Sequence, residues 1–220
     1  MDNHNKEILE KTHHEYQTNK VELGFQVSST WRRDPKHLLF ALSRYKFVSK
    51  MLEGYKNVLE IGCGDGFCST LVKEQVENLS LTDNELINVD SINHQEFHDV
   101  FQHDFIVNPI NKIYDAIYFL DVLEHISEED SFIKNIIQSL SNNGVMIIGM
   151  PTIESQIYAS QISRDGHVNC KKKSELKIFM RKYFHSVFMF SMNDEMLHTG
   201  FDGMSHYIFA LCTNKNKDYL

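Results

Sequence analysis

The chain has 220 residues, enough for one substantial hydrophobic core and short for two. Its 42% hydrophobic and 24% charged residues with a formal net charge of -8 describe a globular protein with no general attraction for polyanions, so nucleic acid is a disfavoured partner. Four cysteines without a CxxC pair, no leader-like opening and no apolar run near the roughly 20 residues of a membrane span lead us to expect a soluble, cytoplasmic protein without a disulfide framework.

The first thirty or so residues are polar and show little periodicity, as expected of an arm that orders when ligand binds. Trp31, at the end of that arm, either closes over a bound ring or packs as a helix staple. A helix is predicted after Asp34 as N-cap and Pro35 in the first turn, ending near Gly54. Its apolar stripe is Leu38, Leu39, Leu42, Tyr45, Val48 and Leu52, while Arg44 and Lys46 lie off the stripe and either face a ligand or, as is more common, are solvated charges. We therefore expect residues 1–54 to form an arm and cap helix, and 55–220 one domain.

From there apolar runs alternate with helical stretches. "NVLEI", "NLSLTD", "FHDVFQHD", "YDAIYFL" and "GVMIIGMP" read as strands, with helices at 67–75 and in "SEEDSFIKNIIQSL", the latter opened by a capping box from Ser127 to Asp130. "KKKSELKIFMRKYF" is helical, and "SVFMFSM" and "HYIFALC" are placed as an antiparallel pair at a sheet edge. The fold class is α/β, a doubly wound, mostly parallel sheet of seven strands with an N-terminal helical cap.

Sheets of this kind bind ligands at the carboxyl ends of their strands. "VLEIGCGDGF" sits at such an end with Gly62, Gly64 and Gly66, but Phe67 stands where a dinucleotide fingerprint needs its third glycine. Acids close the predicted strands: Glu60 and Asp65 around the glycines, then Asp83, Asp104 and Asp121. Converging negative charge repels a pyrophosphate and favours a nucleoside bearing a sulfonium and an ammonium. Asp83 lies about 20 residues beyond the first glycine, the offset at which an acid reaches ribose hydroxyls.

With these motifs in this order, the chain resembles the class I S-adenosylmethionine-dependent methyltransferases. The resemblance implies S-adenosyl-L-methionine as cofactor and S-adenosyl-L-homocysteine as product. It implies that Gly62, Gly64 and Gly66 approach the methionine moiety with Glu60 orienting the loop, and that Asp83 holds the ribose. Asp104 and Phe105 would meet the adenine, and Leu120 and Asp121 would pass the sulfonium. A further likeness of "GHVNCKKKSELKIFMRKYF" to a subgroup linked to sugar and surface-glycan biosynthesis implies a sugar or nucleotide-linked sugar hydroxyl as acceptor.

A hydroxyl acceptor calls for a base. "DVLEHI" brings Asp121, Glu124 and His125 to one side if the turn is helical, and His167 in "DGHVN" follows the fifth strand. Glu124, His125 and His167 are the expected catalytic residues, with a histidine as metal-free base and no metal. A similar Glu-x-x-Glu-His with a later histidine holds Mg²⁺ in small-RNA 2′-O-methyltransferases; here Asp121 shortens the first position. A metal-assisted RNA methyltransferase is the alternative enzyme, and a catalytically silent cofactor-binding subunit the alternative outside catalysis. His198 is a further candidate, set against its place between edge strands where a turn histidine is ordinary, and 171–173 reads as a solvated helix start.

Overall fold

The computed structural model describes residues 3–18, 21, 23–200 and 202–216. Helices α1 (Asn3–Thr18), α2 (Phe25–Arg33) and α3 (Pro35–Met51) lead into strand β1 (Asn57–Ile61), followed by α4 (Thr70–Lys73) and β2 (Asn78–Asp83). Then come α5 (Leu86–Ser91), β3 (Asp99–Gln102), β4 (Tyr114–Leu120), α6 (Glu129–Gln138) and β5 (Leu140–Pro151). The chain continues through α7 (Gln161–Gly166), α8 (Lys173–Met180), β6 (Phe184–Asn193), β7 (Met196–His198) and β8 (Tyr207–Lys215).

All strands join one sheet in the order β3-β2-β1-β4-β5-β8-β6-β7. Pairing is parallel from β3 to β5 and antiparallel beyond. The reversal of strand order beside β1 opens a crevice above the carboxyl ends of β1 and β4, where ligands of such sheets sit. Alternate side chains of β4 feed opposite faces: Ile117 and Phe119 pack with Phe132, Ile136 and Leu176 of α6 and α8, whereas Ala116, Tyr118 and Leu120 pack with Phe47, Val48 and Leu52 on the α3 side. Burial on both faces explains why these strands read as continuous apolar runs.

Several expectations change. The sheet has eight strands rather than seven, because Met196–His198 adds a short antiparallel edge on β6. β8 lies inside the sheet, not at its edge, since β5 and β6 flank it. The opening residues form two helices where no regular element was expected. α1 is exposed almost throughout, so helix formers such as Lys6, Glu7, Leu9, Glu10 and Lys11 carry it without a core face and leave no periodic signal. The helix expected at 67–75 contracts to Thr70–Lys73. α6 starts at Glu129 without a side-chain cap, because Asp130 instead accepts from the Tyr183 hydroxyl and from Lys182. Among the described residues no helix is long and apolar enough to cross a membrane.

Asp34 does cap α3, accepting the Lys36 N–H at 3.2 Å. The 171–173 run is less solvated than expected, because Lys171 pairs with Glu129 and Lys173 with Asp202, both at 2.7 Å.

Candidate functional site

Beyond β1 the backbone turns through Gly62, Gly64 and Gly66 with φ of 73°, 57° and 71°, a region that side chains disfavour. The turn is also crowded: a Cβ on Gly62 would stand 2.3 Å from Val122 Cγ2, and one on Gly64 2.5 Å from Gln26 Oε1. Asp83, at the end of β2, accepts the Gly64 N–H on one oxygen and the Glu85 N–H on the other, both at 3.0 Å. It therefore fastens the glycine turn to the neighbouring strand.

A cavity of about 300 Å³ opens over this turn, lined by Gly62, Gly64, Asp83, Asp104, Phe105, Asp121 and His125. Asp104 accepts the Ile106 N–H at 2.8 Å, and the Asn135 amide holds the Phe105 carbonyl at 2.8 Å, so this wall is fixed. Gln26, Asn84 and Asn88 complete it, and none of them carried a sequence signal. No lysine or arginine lines the cavity among the described residues. Asp83 and Asp104 beside a bare backbone turn suit a cationic nucleoside with free ribose hydroxyls and oppose a polyphosphate.

Three expected contacts lie elsewhere. Glu60 is fully buried behind the turn, each oxygen receiving a tyrosine hydroxyl at 2.5 Å, from Tyr45 of α3 and Tyr118 of β4. Burial pushes its carboxyl above the usual range, against those hydrogen bonds. Leu120 is buried against Gly149, and Gly66 borders a separate cavity.

Asp121 takes an unexpected partner. Its backbone is left-handed, with φ of 56°, and both its oxygens face Arg44 Nη1 at 2.8 and 2.9 Å. The Tyr207 hydroxyl donates to the same carboxylate at 3.3 Å, and the Arg44 guanidinium lies 3.9 Å from the Tyr207 ring centroid. Arg44 is thus buried and paired rather than solvated.

The turn after Asp121 is a single 3-10 turn, Leu123–His125, so Asp121 does not join Glu124 and His125 on one face. The insertion after β5 joins them instead. Asn169 donates its backbone N–H to the Glu124 carbonyl at 2.9 Å and its amide to Ile126 O at 3.0 Å and Glu129 at 2.7 Å, tying the insertion to the turn. Glu124, His125 and His167 then each present a ligand atom within 4.8 Å of the others, and the two imidazole rings meet edge to face at 5.0 Å. His125 Nδ1 donates to the Gly166 carbonyl at 2.8 Å and His167 Nδ1 to Gln156 Oε1 at 2.7 Å. In both neutral rings the lone pair is therefore on Nε2.

Glu124 is buried with Oε2 unpartnered, and burial, reinforced by Asp121, holds its carboxyl well above the ordinary range. His167 is shifted down by burial and by His125. Trp31 is exposed, and His198 bonds Asn193 between the edge strands.

A protein-family profile described as "Methyltransferase domain" matches residues 30–188. Among curated proteins, the ubiquinone biosynthesis O-methyltransferase of Rickettsia canadensis (strain McKiel) is 28% identical over 111 residues, 48% of this chain and 45% of that protein. The corresponding protein of Rickettsia felis (strain ATCC VR-1525 / URRWXCal2) is 26% identical over 111 residues, 48% of this chain and 43% of its own length. The match thus spans under half the length of these relatives. Among solved structures, the plantazolicin methyltransferase BpumL in complex with SAH aligns with a TM-score of 0.65 at 16% identity, covering 86% of this chain and 88% of that one. The methyltransferase domain of bacterial CtHen1 aligns at 0.62 and 18% identity, covering 79% and 98%. At such identities the likeness is one of fold.

Proposed function

Because the chain belongs to the methyltransferase-domain family, we propose that it transfers a methyl group from S-adenosylmethionine to a hydroxyl of a small molecule. The cavity over Gly62 and Gly64 would hold the cofactor, with Asp83 on the ribose hydroxyls, Asp104 and Phe105 at the base, and Asp121 beside the sulfonium. When bound, the cofactor supplies an electrophilic methyl group on a leaving sulfur.

The observation that carries the acceptor side is the pair of imidazoles whose Nδ1 donors are committed to carbonyl oxygens. His125 lines the cofactor cavity, and its Nε2 or that of His167, left with the lone pair, would take the proton of an acceptor hydroxyl. Glu124, whose carboxyl burial and Asp121 hold well above the ordinary range, stands beside them as hydrogen-bonding support.

The sugar acceptor expected from the sequence has no counterpart in the two Rickettsia relatives, whose names concern ubiquinone biosynthesis. Phenolic hydroxyls accordingly join sugars as acceptors to be tried. A second reading rests on the unpartnered Glu124 Oε2: one carboxylate and two imidazoles oriented through Nδ1 are a donor set suited to a divalent cation. A cation there would lower the hydroxyl pKa directly, with both histidines as ligands.

One experiment separates these. S-adenosylhomocysteine formation is followed with catechols, sugars, nucleotide sugars and RNA 3′ ends, before and after chelation. Under the base reading, His125→Ala or His167→Ala retains S-adenosylhomocysteine affinity, turnover falls roughly 10²–10⁴-fold and chelators have no effect. Activity abolished by chelation and restored by Mg²⁺ or Mn²⁺ establishes the cation reading instead. No S-adenosylhomocysteine binding by calorimetry overturns both.

A further inference from the structure

Resting on the cofactor reading above, we propose that residues 23–27 form a further wall of the cofactor pocket, with Gln26 in contact with the cofactor and Asp65 as the clasp that holds this strap down. These residues precede the stretch matched by the family profile, which begins at residue 30.

The first-turn N–H groups of a helix need acceptors, and α2 begins after Gly24, which has no side chain to provide one. The acceptor comes from the glycine turn itself: Asp65 Oδ2 receives the Val27 N–H at 2.9 Å, across 38 residues. An acid that the sequence places among the ligand-binding glycines is thus engaged in capping α2. Glycine at position 24 follows from the close approach, since a Cβ there would lie 2.4 Å from Asp65 Cβ.

The clasp brings Gln26 over the turn. Its Oε1 stands 2.5 Å from the site a Cβ would take on Gly64, and its amide donates to Asn88 Oδ1 at 3.1 Å. Gln26, Gly64 and Asn88 all line the 300 Å³ cavity. An amide oxygen facing the bare Gly64 backbone is a neutral acceptor for the ammonium of an amino-acid moiety laid along that turn.

A second cavity, of about 830 Å³, is bordered by Leu23, Gly24, Asp65 and Gly66, so the strap and its clasp also face this space. Releasing the Val27–Asp65 and Gln26–Asn88 bonds would lift the strap from the glycine turn, so in this proposal the strap governs cofactor exchange.

The test uses the full chain with S-adenosylhomocysteine as probe, measuring affinity by calorimetry, dissociation by stopped flow, and amide hydrogen exchange over 25–33. Gln26→Ala should lower affinity about tenfold, the scale of one hydrogen bond to a charged group, chiefly through faster dissociation. Gly24→Ala, whose new Cβ collides with Asp65, should act in the same direction and speed exchange at the Val27 amide. In the wild type, bound S-adenosylhomocysteine should slow that exchange. Unchanged affinity and dissociation in Gln26→Ala overturn the proposal whatever Gly24→Ala does, including failing to fold. Failure of the parent reading looks different: the wild type itself then binds no S-adenosylhomocysteine.

Discussion

Arg44 and Asp121, 77 residues apart in sequence, form an ion pair in which one guanidinium nitrogen meets both carboxylate oxygens, at 2.8 and 2.9 Å. The two partners are unequally placed, with side-chain exposures of 8% for Arg44 and 41% for Asp121. Removing the carboxylate strands a buried cation, whereas removing the cation leaves an acid that water can reach. Asp121→Ala should therefore cost about 2–3 kcal/mol, below the range for fully buried pairs, and Arg44→Met should cost less. Urea unfolding of both variants checks the order; an Asp121→Ala protein as stable as the wild type would show the pair to be dispensable.

Glu60 holds α3 against the sheet through Tyr45 and Tyr118. Tyr118→Phe leaves a buried carboxylate oxygen without its donor and should destabilise by about 1–3 kcal/mol, with little change in S-adenosylhomocysteine affinity. Thermal melting paired with calorimetry distinguishes this from a ligand-binding role, which predicts the reverse pattern.

Asp83→Ala removes the acceptor for the Gly64 and Glu85 N–H groups as well as the expected ribose partner. S-adenosylhomocysteine affinity should fall by about 1–3 kcal/mol. Calorimetry giving an unchanged affinity would move the ribose contact to another residue.

The downward shift of His167 fixes the sign of a pH profile. A base must be unprotonated, so if His167 is the base, turnover at saturating acceptor falls with acid around a midpoint below about 6.5, the ordinary imidazole value. A rate already half lost at pH 7.5 would exclude this residue as the base.

The glycine turn was legible because its chemistry is local: Gly62, Gly64 and Gly66 need backbone freedom within a few residues of each other, and the spacing records it. Strands β1, β2 and β4 were legible for a related reason, since burial on both faces leaves continuous apolar runs. Arg44 was not, because a charge off a helical stripe reads as solvated until its partner on a distant turn is known. Glu60 looked like its neighbouring acids, and only the convergence of Tyr45 and Tyr118 separates it from them. The Asp121, Glu124 and His125 spacing shares a face only in a helical turn; the left-handed backbone at Asp121 breaks that face, and Asn169, from another segment, supplies His167 in its place. Gln26 had no signal, since its position depends on a cap donated from 38 residues away.

The interior position of β8 has a consequence for synthesis. β5 is made well before its antiparallel neighbour, so a growing chain carries Met146, Ile148 and Met150 on a strand whose outer edge has nothing to pair with. Until β8 emerges and inserts, that edge is a template for strands of other chains. The same insertion delivers Tyr207 to Arg44 and Asp121, so sealing the sheet and completing this corner of the crevice are one event. A nascent chain stalled before residue 207 would therefore lack this corner and expose the unpaired edge of β5, and a cell's chaperones would meet it there.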